Sequence, residues 1–197
     1  EAARVVGGAV RDALLGAKVN DVDVCTTATP AEVARRVAAQ GWKPVPTGVD
    51  HGTWTVVIEG RGFEVTTLRE DVETFGRKAK VKFGRDFRAD ALRRDFTINA
   101  LSLDRAGKVH DYAGGLDDLA ARRVRFIGDP AERIREDYLR ILRFFRFHAR
   151  FAQGPLDRAG IAACIAARAG LDGLSRERVR WELLKLAATP GAVATLA

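Results

Sequence analysis

The sequence predicts an α+β protein, a small mixed β-sheet flanked by helices over residues 1–127 and an all-helical segment over 128–197. Three observations carry this reading. Alternating, period-two runs occur only before residue 127. Two capping-box signatures, Thr29-Pro30-Ala31-Glu32 and Asp129-Pro130-Ala131-Glu132, each open a helical stretch. Beyond the second of them the apolar residues recur at helical spacing alone.

The elements follow in order. Residues 4–15 open apolar, break at Gly7-Gly8 and continue as a short helix closed by Gly16. The alternation of NDVDVC at 20–25 predicts a strand with Asp21 and Asp23 on one face and Val22 and Val24 on the other. The box at 29–32 starts a helix that Gly41 ends. Residues 53–58 and 63–68 are β-rich runs joined by Glu59-Gly60-Arg61-Gly62, a hairpin. Residues 69–90 are polar and mixed in charge, which predicts a long mobile loop of functional kind. A helix resumes around 90–104 with Ala100 and Leu101 near its middle, then a short strand, a Gly114-Gly115 turn and a strand at 124–127. The box at 129–132 launches the longest helix, to about residue 151, with Ile134, Tyr138, Ile141 and Phe145 as its buried stripe. Helices over 157–169 and 176–188, the latter capped by Ser175, finish the chain.

At 197 residues, 47% hydrophobic and 30% charged, the composition is that of a globular protein. A chain of this length buries roughly 70% of its unfolded surface and needs no disulfide or structural zinc. Cys25 and Cys164 therefore read as small buried residues. No apolar run is long enough to span a bilayer and the N-terminal residues lack signal-peptide features, so the expectation is a cytoplasmic protein without membrane contact. The formal charge is +7, and nine arginines between 122 and 150 face only Asp129, Glu132, Glu136 and Asp137. That surplus predicts a phosphate-rich partner. The lack of any Met and the uncharged end TPGAVATLA predict a segment of a longer polypeptide.

Two carboxylates on one strand face, Asp21 and Asp23, suit a hard cation such as Mg²⁺, which takes one or two carboxylates together with substrate phosphates. Gly7-Gly8 permits close backbone approach, and Arg11 supplies a guanidinium beside it, the makings of a phosphate cradle. His51 reads as a turn residue and not a catalytic base. Trp42, Trp54 and Trp181 read as packing aromatics.

These motifs resemble a known family. VGGAVRDALLGAKVNDVDVCT is similar to the first motif of the class II tRNA nucleotidyltransferases and the related bacterial poly(A) polymerases, of the polymerase-β-like superfamily. RRDFTINAL at 93–101, DYAGGLDDL at 111–119 and EDYLRILRFFRF at 136–147 resemble the second, third and fourth motifs. SRERVRWELLKL at 175–186 is similar to the fifth, a helix-stabilising element. The resemblance implies a nucleotidyltransferase head over 1–127 and a nucleotide- and RNA-binding helical neck over 128–197, truncated on its C-terminal side. It makes Asp21 and Asp23 ligands of Mg²⁺, with Glu64 a third carboxylate near the metals. Gly8 and Arg11 become contacts of the triphosphate, Arg94 and Asp95 contacts of phosphate and ribose braced by Asn99, and Asp137, Arg140, Arg143 and Arg146 the nucleotide-binding face of the long helix.

Asp137 and Arg140, three apart and so neighbours on a helix, stand by this resemblance in place of a nucleic-acid template. A carboxylate accepts from the exocyclic amino group of cytosine or adenine and a guanidinium donates to the ring nitrogen beside it; guanine and uracil present the opposite order. The implied reaction adds CMP and AMP from CTP and ATP to the 3′ end of tRNA with release of pyrophosphate, with no obligate protein partner. A poly(A) polymerase or a CC- or A-adding specialist is the alternative, and a non-catalytic RNA- or nucleotide-binding module the alternative of another class.

Overall fold

The computed structural model of the chain describes residues 2–48, 52–75 and 78–197. His51 lies outside them. The chain divides into two compact units: Glu1–Thr74, Ala79–Arg94 and Asn99–Ala113 form the first, and Phe75–Lys78, Asp95–Ile98 and Gly114–Ala197 the second.

The first unit is built on a seven-stranded sheet. Strand β1 (Ala3–Val6) leads into helix α1 (Gly8–Leu14), and β2 (Asp23–Thr26) into α2 (Pro30–Ala39). The Thr29 hydroxyl accepts from the Glu32 N–H as the capping box requires. Strands β3 (Lys43–Gly48), β4 (Thr53–Ile58) and β5 (Arg61–Thr67) follow. The pairing Ile58↔Arg61 leaves Glu59 and Gly60 as a two-residue turn, both at positive φ (49° and 76°), a geometry that matches strand twist. Sheet order is β3-β4-β5-β2-β1-β8-β9, with β2 and β5 parallel and every other neighbour pair antiparallel, which is the mixed sheet expected. β3 carries no strand signal in the sequence because Pro44 and Pro46 interrupt it; as the outermost strand it tolerates two residues without a donor. Val6, Cys25 and Leu68 form a buried cluster covered by Phe87.

Two expectations for this unit fail. The loop expected over 69–90 is largely β-structure: β6 (Arg69–Phe75) and β7 (Lys78–Phe83) pair in a separate two-stranded sheet. The alternation Lys78-Ala79-Lys80-Val81-Lys82-Phe83 is a period-two pattern, and its lysines conceal it in a composition count. The helix expected across 90–104 is α3 (Phe87–Leu92), which stops before the second-motif residues; Thr97–Asn99 form a 3₁₀ turn and Ser102–Leu103 is β8, which pairs with β1 and with β9 (Val109–His110). β-Branched Thr97 and Ile98 lose rotamer freedom in a helix, and the Asp95 carboxylate accepts from the Phe96 N–H, a local bond that competes with helical pairing.

The second unit is helical. Gly114, at φ 76°, precedes α4 (Gly115–Ala120). Residues 124–127 make only an isolated bridge, Phe96↔Phe126, where a strand was expected. The long helix expected from 130 to 151 is broken into α5 (Pro130–Glu136) and α6 (Leu139–Phe151). Asp137 has extended geometry between them (φ −158°, ψ 106°), and its Oδ1 accepts from the Leu139 N–H at 3.1 Å. The side chain that looked like a mid-helix acid therefore closes a local turn onto the first N–H of a new helix, whose N-cap is Tyr138. The buried stripe of α6 is Ile141, Phe144, Phe147 and Phe151, without Phe145. Phe96, Phe126, Phe144 and Phe147 pack as an aromatic cluster with centroids 5.0–5.2 Å apart, tilted for Phe96–Phe126 and Phe96–Phe147 and stacked for Phe126–Phe144. Helices α7 (Arg158–Ala166), α8 (Arg176–Ala187) and α9 (Ala192–Leu196) complete the unit, with Ser175 capping α8. Cys25 and Cys164 are both buried. Trp42 and Trp181 are 43% and 65% exposed, so neither is the packing aromatic expected.

Asp118 is fully buried in the second unit. It accepts from the Thr97 hydroxyl at 2.6 Å, from Arg123 at 2.7 Å and from Arg125 at 2.9 Å. Asp118→Ala is expected to destabilise this unit by about 3 kcal/mol, the lower end for a broken buried pair because both arginines reach water. Urea unfolding checks it, and Asp118→Asn, which keeps an acceptor for Thr97, is expected to lose less.

Candidate active site

Strand register gathers the acidic residues of the first unit. β2 and β5 pair in parallel with Asp23 opposite Glu64, and β5 and β4 pair with Glu64 opposite Thr55. Directly paired residues share a sheet face, so Asp23, Glu64 and Thr55 form one row. One step along the same face lies the row Cys25, Thr66 and Thr53, where the two threonine hydroxyls meet at 3.0 Å. The strand begins at Asp23, so Asp21 precedes it and the shared strand face expected for Asp21 and Asp23 does not form. Both carboxylates nevertheless line one cavity of about 350 Å³ together with Val22, Thr55, Gly62 and Glu64. Burial pushes the Asp23 carboxyl above the usual carboxylate range, Arg94 pulls it back, and Asp21 adds to the rise. Burial is the main cause, and the neighbouring Asp21 charge adds to it. Among the described residues no three His, Cys, Asp or Glu side chains are gathered closely enough to hold a metal, so Glu64 stands beside the pair without completing a triad.

A second cavity of about 330 Å³ adjoins the same carboxylates, sharing Asp23 and Glu64 and adding Thr53, Thr66, Arg93 and Arg94. Asp90, 2% exposed, sets both arginines: it accepts from Arg93 at 2.5 Å and from Arg94 at 3.1 Å, three and four residues further along the chain. Burial acts to raise the Asp90 carboxyl, but the two guanidiniums outweigh it and hold it below the usual range. Arg94 also donates to the Asn99 carbonyl at 3.4 Å. Gly7 is required here twice over: its φ of 67° is left-handed, and a Cβ would stand 3.0 Å from the Arg94 guanidinium. Arg11 is 6% exposed and donates to Asn99 Oδ1 at 2.5 Å and Asp12 Oδ1 at 2.8 Å. It braces α1 against the second-motif turn. Gly8 opens α1 with its Cα 's missing side chain facing Arg11, where a Cβ would lie 3.4 Å from Nη2.

The other sequence-selected residues lie in the second unit. Asp95 accepts from Arg143 Nε at 2.7 Å. Arg146 pairs with Glu182 of α8, both nearly buried. The Asp137 and Arg140 side chains do not pair with each other, although the Arg140 N–H donates to the Asp137 carbonyl: Asp137 Oδ2 accepts from Arg178 of α8 at 2.6 Å, while the Arg140 guanidinium donates to Glu136 and to the Arg133 carbonyl. Sequence reasoning missed Asp90, Arg93, Thr53, Thr55, Thr66 and Arg178. The i+3 and i+4 spacing of Arg93 and Arg94 from Asp90 was a usable signal; the threonines become visible only through strand register, and Arg178 only through helix packing.

Residues 3–125 match the family described as the Poly A polymerase head domain. The chain is 46% identical over 186 residues to the CCA tRNA nucleotidyltransferase 1, mitochondrial, of Danio rerio, and 45% identical over 186 residues to the protein of that name from Homo sapiens; each match covers 93% of this chain and 43% of the relative. Among solved structures, the Bacillus stearothermophilus CCA-adding enzyme in complex with CTP matches with a TM-score of 0.88 and 37% identity, over 98% of this chain and 46% of that one. The chain thus spans less than half the length of these relatives. The mitochondrial designation of the vertebrate relatives overturns the cytoplasmic expectation. That expectation rested on the lack of disulfides and of an apolar span, features that do not distinguish one reducing compartment from another.

Proposed function

The chain belongs to the poly A polymerase head-domain family, within the tRNA nucleotidyltransferases of the polymerase-β-like superfamily, and we propose that it is the head and neck of an enzyme adding CMP and AMP from CTP and ATP to the 3′ end of tRNA. In this reading the head runs over 1–127 and the neck over 128–197. The observation that carries it is the pairing of two unlike cavities around Asp23 and Glu64: one also lined by Asp21, the other by Arg93 and Arg94. Phosphoryl transfer needs both an acidic metal-holding wall and donors for the departing phosphates.

The acceptor 3′-hydroxyl, giving up its proton to solvent, attacks the α-phosphorus of the nucleotide; a P–O bond to the acceptor forms as the bond to the pyrophosphate oxygen breaks. Mg²⁺, which Asp21 and Asp23 fit as two carboxylates lining one cavity, would activate the hydroxyl and neutralise charge on the leaving group. Glu64 is the third carboxylate of that wall. Arg94, fixed by Asp90, donates to the triphosphate, with Arg93 beside it. Gly7 and Gly8 keep the backbone clear next to Arg94 and Arg11, and Arg11 holds the second-motif turn through Asn99. In the second unit Asp137 and Arg140 read the base, Asp95 and Arg143 form a coupled pair at the nucleotide, and Arg146 positions α6 through Glu182.

The test is incubation of the full-length protein with tRNA lacking its 3′ end and each nucleotide separately and together, with the products sequenced. Addition of CCA and nothing further is the expected result. A long adenosine tail would assign poly(A) polymerase activity, arrest after CC or failure without a preformed CC a partial-addition specialist, and no extension a binding module.

A further inference from the structure

The arginines between 122 and 150 divide by what holds them. Arg133 and Arg140 pair with Glu136, Arg143 with Asp95 and Arg146 with Glu182; all four are mostly buried, and their charge is balanced within the second unit. Arg123 and Arg125 are 49% and 40% exposed although both bind the fully buried Asp118. Asp118 takes the Nε N–H of each, at 2.8 Å and 2.9 Å, so each guanidinium is fixed by its inner edge and keeps Nη donors at the surface. Asp90 holds Arg93 and Arg94 in the same manner in the first unit, at the cavity proposed for the departing phosphates. A buried carboxylate that fixes two arginines in this way presents rigid forks, which match the paired oxygens of a phosphate group.

The backbone sets the turn that carries the second pair. The Arg122 and Arg123 N–H groups donate to the Leu119 and Asp118 carbonyls at 3.2 Å and 2.8 Å, the two bonds that close a helix through one left-handed residue. That residue is Arg122, at φ 49°, where glycine is the usual choice. Its carbonyl accepts from the Gln153 N–H at 2.8 Å, which ties the turn to the chain just after α6. The Arg122 side chain is exposed. An arginine here does nothing for the turn that glycine would not do better; what it brings is a third guanidinium next to the pair on Asp118.

We propose that Arg122, Arg123 and Arg125 form a second phosphate site, which grips a backbone phosphodiester of the acceptor RNA. The inference rests on the nucleotidyltransferase reading and deepens it, giving the RNA a contact made by residues other than the carboxylates and the side chains that read the incoming base. Such a contact positions the RNA and carries no sequence information.

The experiment uses the full-length protein and tRNA lacking its 3′ end, with the Kd for tRNA measured over a series of salt concentrations and the KM for CTP measured at saturating tRNA. Arg122→Gly is expected to raise the Kd about fivefold at low salt, the upper end for one exposed ion pair, and to reduce the slope of log Kd against log salt by about one. Its thermal unfolding midpoint is expected to equal or exceed that of the wild type, because glycine relieves the left-handed residue. Arg122→Asn, which also adopts that conformation, is expected to bind tRNA as weakly. Arg123→Lys made together with Arg125→Lys keeps both charges on Asp118 and removes the forks; it is expected to raise the Kd about fivefold and to leave the salt slope unchanged. The KM for CTP is expected to stay at the wild-type value throughout. A structural role for Arg122 would lower the unfolding midpoint, a contact with the nucleotide would raise the KM for CTP, and the lack of a phosphate contact would leave the Kd and its salt slope unmoved; each of these results overturns the assignment. Absence of any transfer by the wild type would instead overturn the reading beneath it, so the two failures are distinguishable.

Discussion

Asp23→Asn is expected to cut nucleotidyl transfer by at least about 10³-fold at saturating Mg²⁺ while leaving the fold intact. The loss follows from the role proposed for Asp23, a charged ligand at the place where charge develops. The intact fold follows from the environment of Asp23. It opens β2, and burial penalises its charged form, with Asp21 adding to the penalty against the pull of Arg94. A carboxyl held above its unfolded value stabilises the folded state while protonated, at pH below the unfolded value, and that contribution is lost as pH rises through the folded value. At neutral pH the wild type therefore carries the cost of a partly buried charge, which an amide does not. The variant should match or slightly exceed wild-type stability at pH 7, and the difference should shrink as pH falls through the raised value. Single-turnover rates and urea unfolding at two pH values check both halves. Near-normal turnover would remove Asp23 from the chemistry, and a large loss of stability at neutral pH would contradict its electrostatics.

How much of this was legible beforehand depends on the range of the interactions involved. Capping boxes are local, and the helices they start at Pro30 and Pro130 form where the sequence places them. The β4–β5 hairpin is local as well, since two residues at positive φ fix its register. The failures lie where a short-range pattern meets a competing contact. Residues 130–151 read as one helix because apolar spacing continues through Asp137, but that carboxylate accepts from the Leu139 N–H and breaks the helix. The stretch after Leu92 has good helical composition, yet Ser102–Leu103 gains more as a strand between β1 and β9.

The candidate site divides in the same way. Asp21 and Asp23 are close in the chain, and their motif is readable directly. Glu64 joins them only because β2 and β5 pair in parallel in one register, and a slip of one residue would turn Glu64 to the opposite face. No periodicity in a single strand encodes that choice. Asp90 holding Arg93 and Arg94 is a helical i+3 and i+4 arrangement and was within reach of the sequence. The Asp137–Arg178 pair joins residues 41 apart across two helices and was not.

That pair bears on the last prediction, the change in base selection on removing Asp137. The sequence places Asp137 and Arg140 on one helical face, whereas the structure gives each its own anchor: Arg178 and the Leu139 N–H hold the carboxylate, and Glu136 and the Arg133 carbonyl hold the guanidinium. Separate anchoring suits a reading device, because neither group satisfies the other and each retains capacity for a base edge. Arg178 occupies only one of the lone pairs on Oδ2, so the carboxylate can still accept from the amino group of cytosine or adenine. The carbonyl of uracil or guanine at that place meets an acceptor instead, a mismatch costing about 1–3 kcal/mol. Asp137→Ala removes the mismatch, so the kcat/KM preference for CTP over UTP and for ATP over GTP is expected to fall about 10- to 100-fold. Absolute use of CTP and ATP should fall as well, through the lost contact and the looser start of α6. Arg140→Ala is expected to weaken CTP and ATP together and to leave their ratio unchanged, because both bases offer it a ring nitrogen. Measuring kcat/KM for all four nucleotides in each variant separates these effects from a general loss of structure, which would lower every value alike. Unchanged selectivity after Asp137→Ala, or loss of ATP use alone after Arg140→Ala, would mean that these two side chains do not read the base.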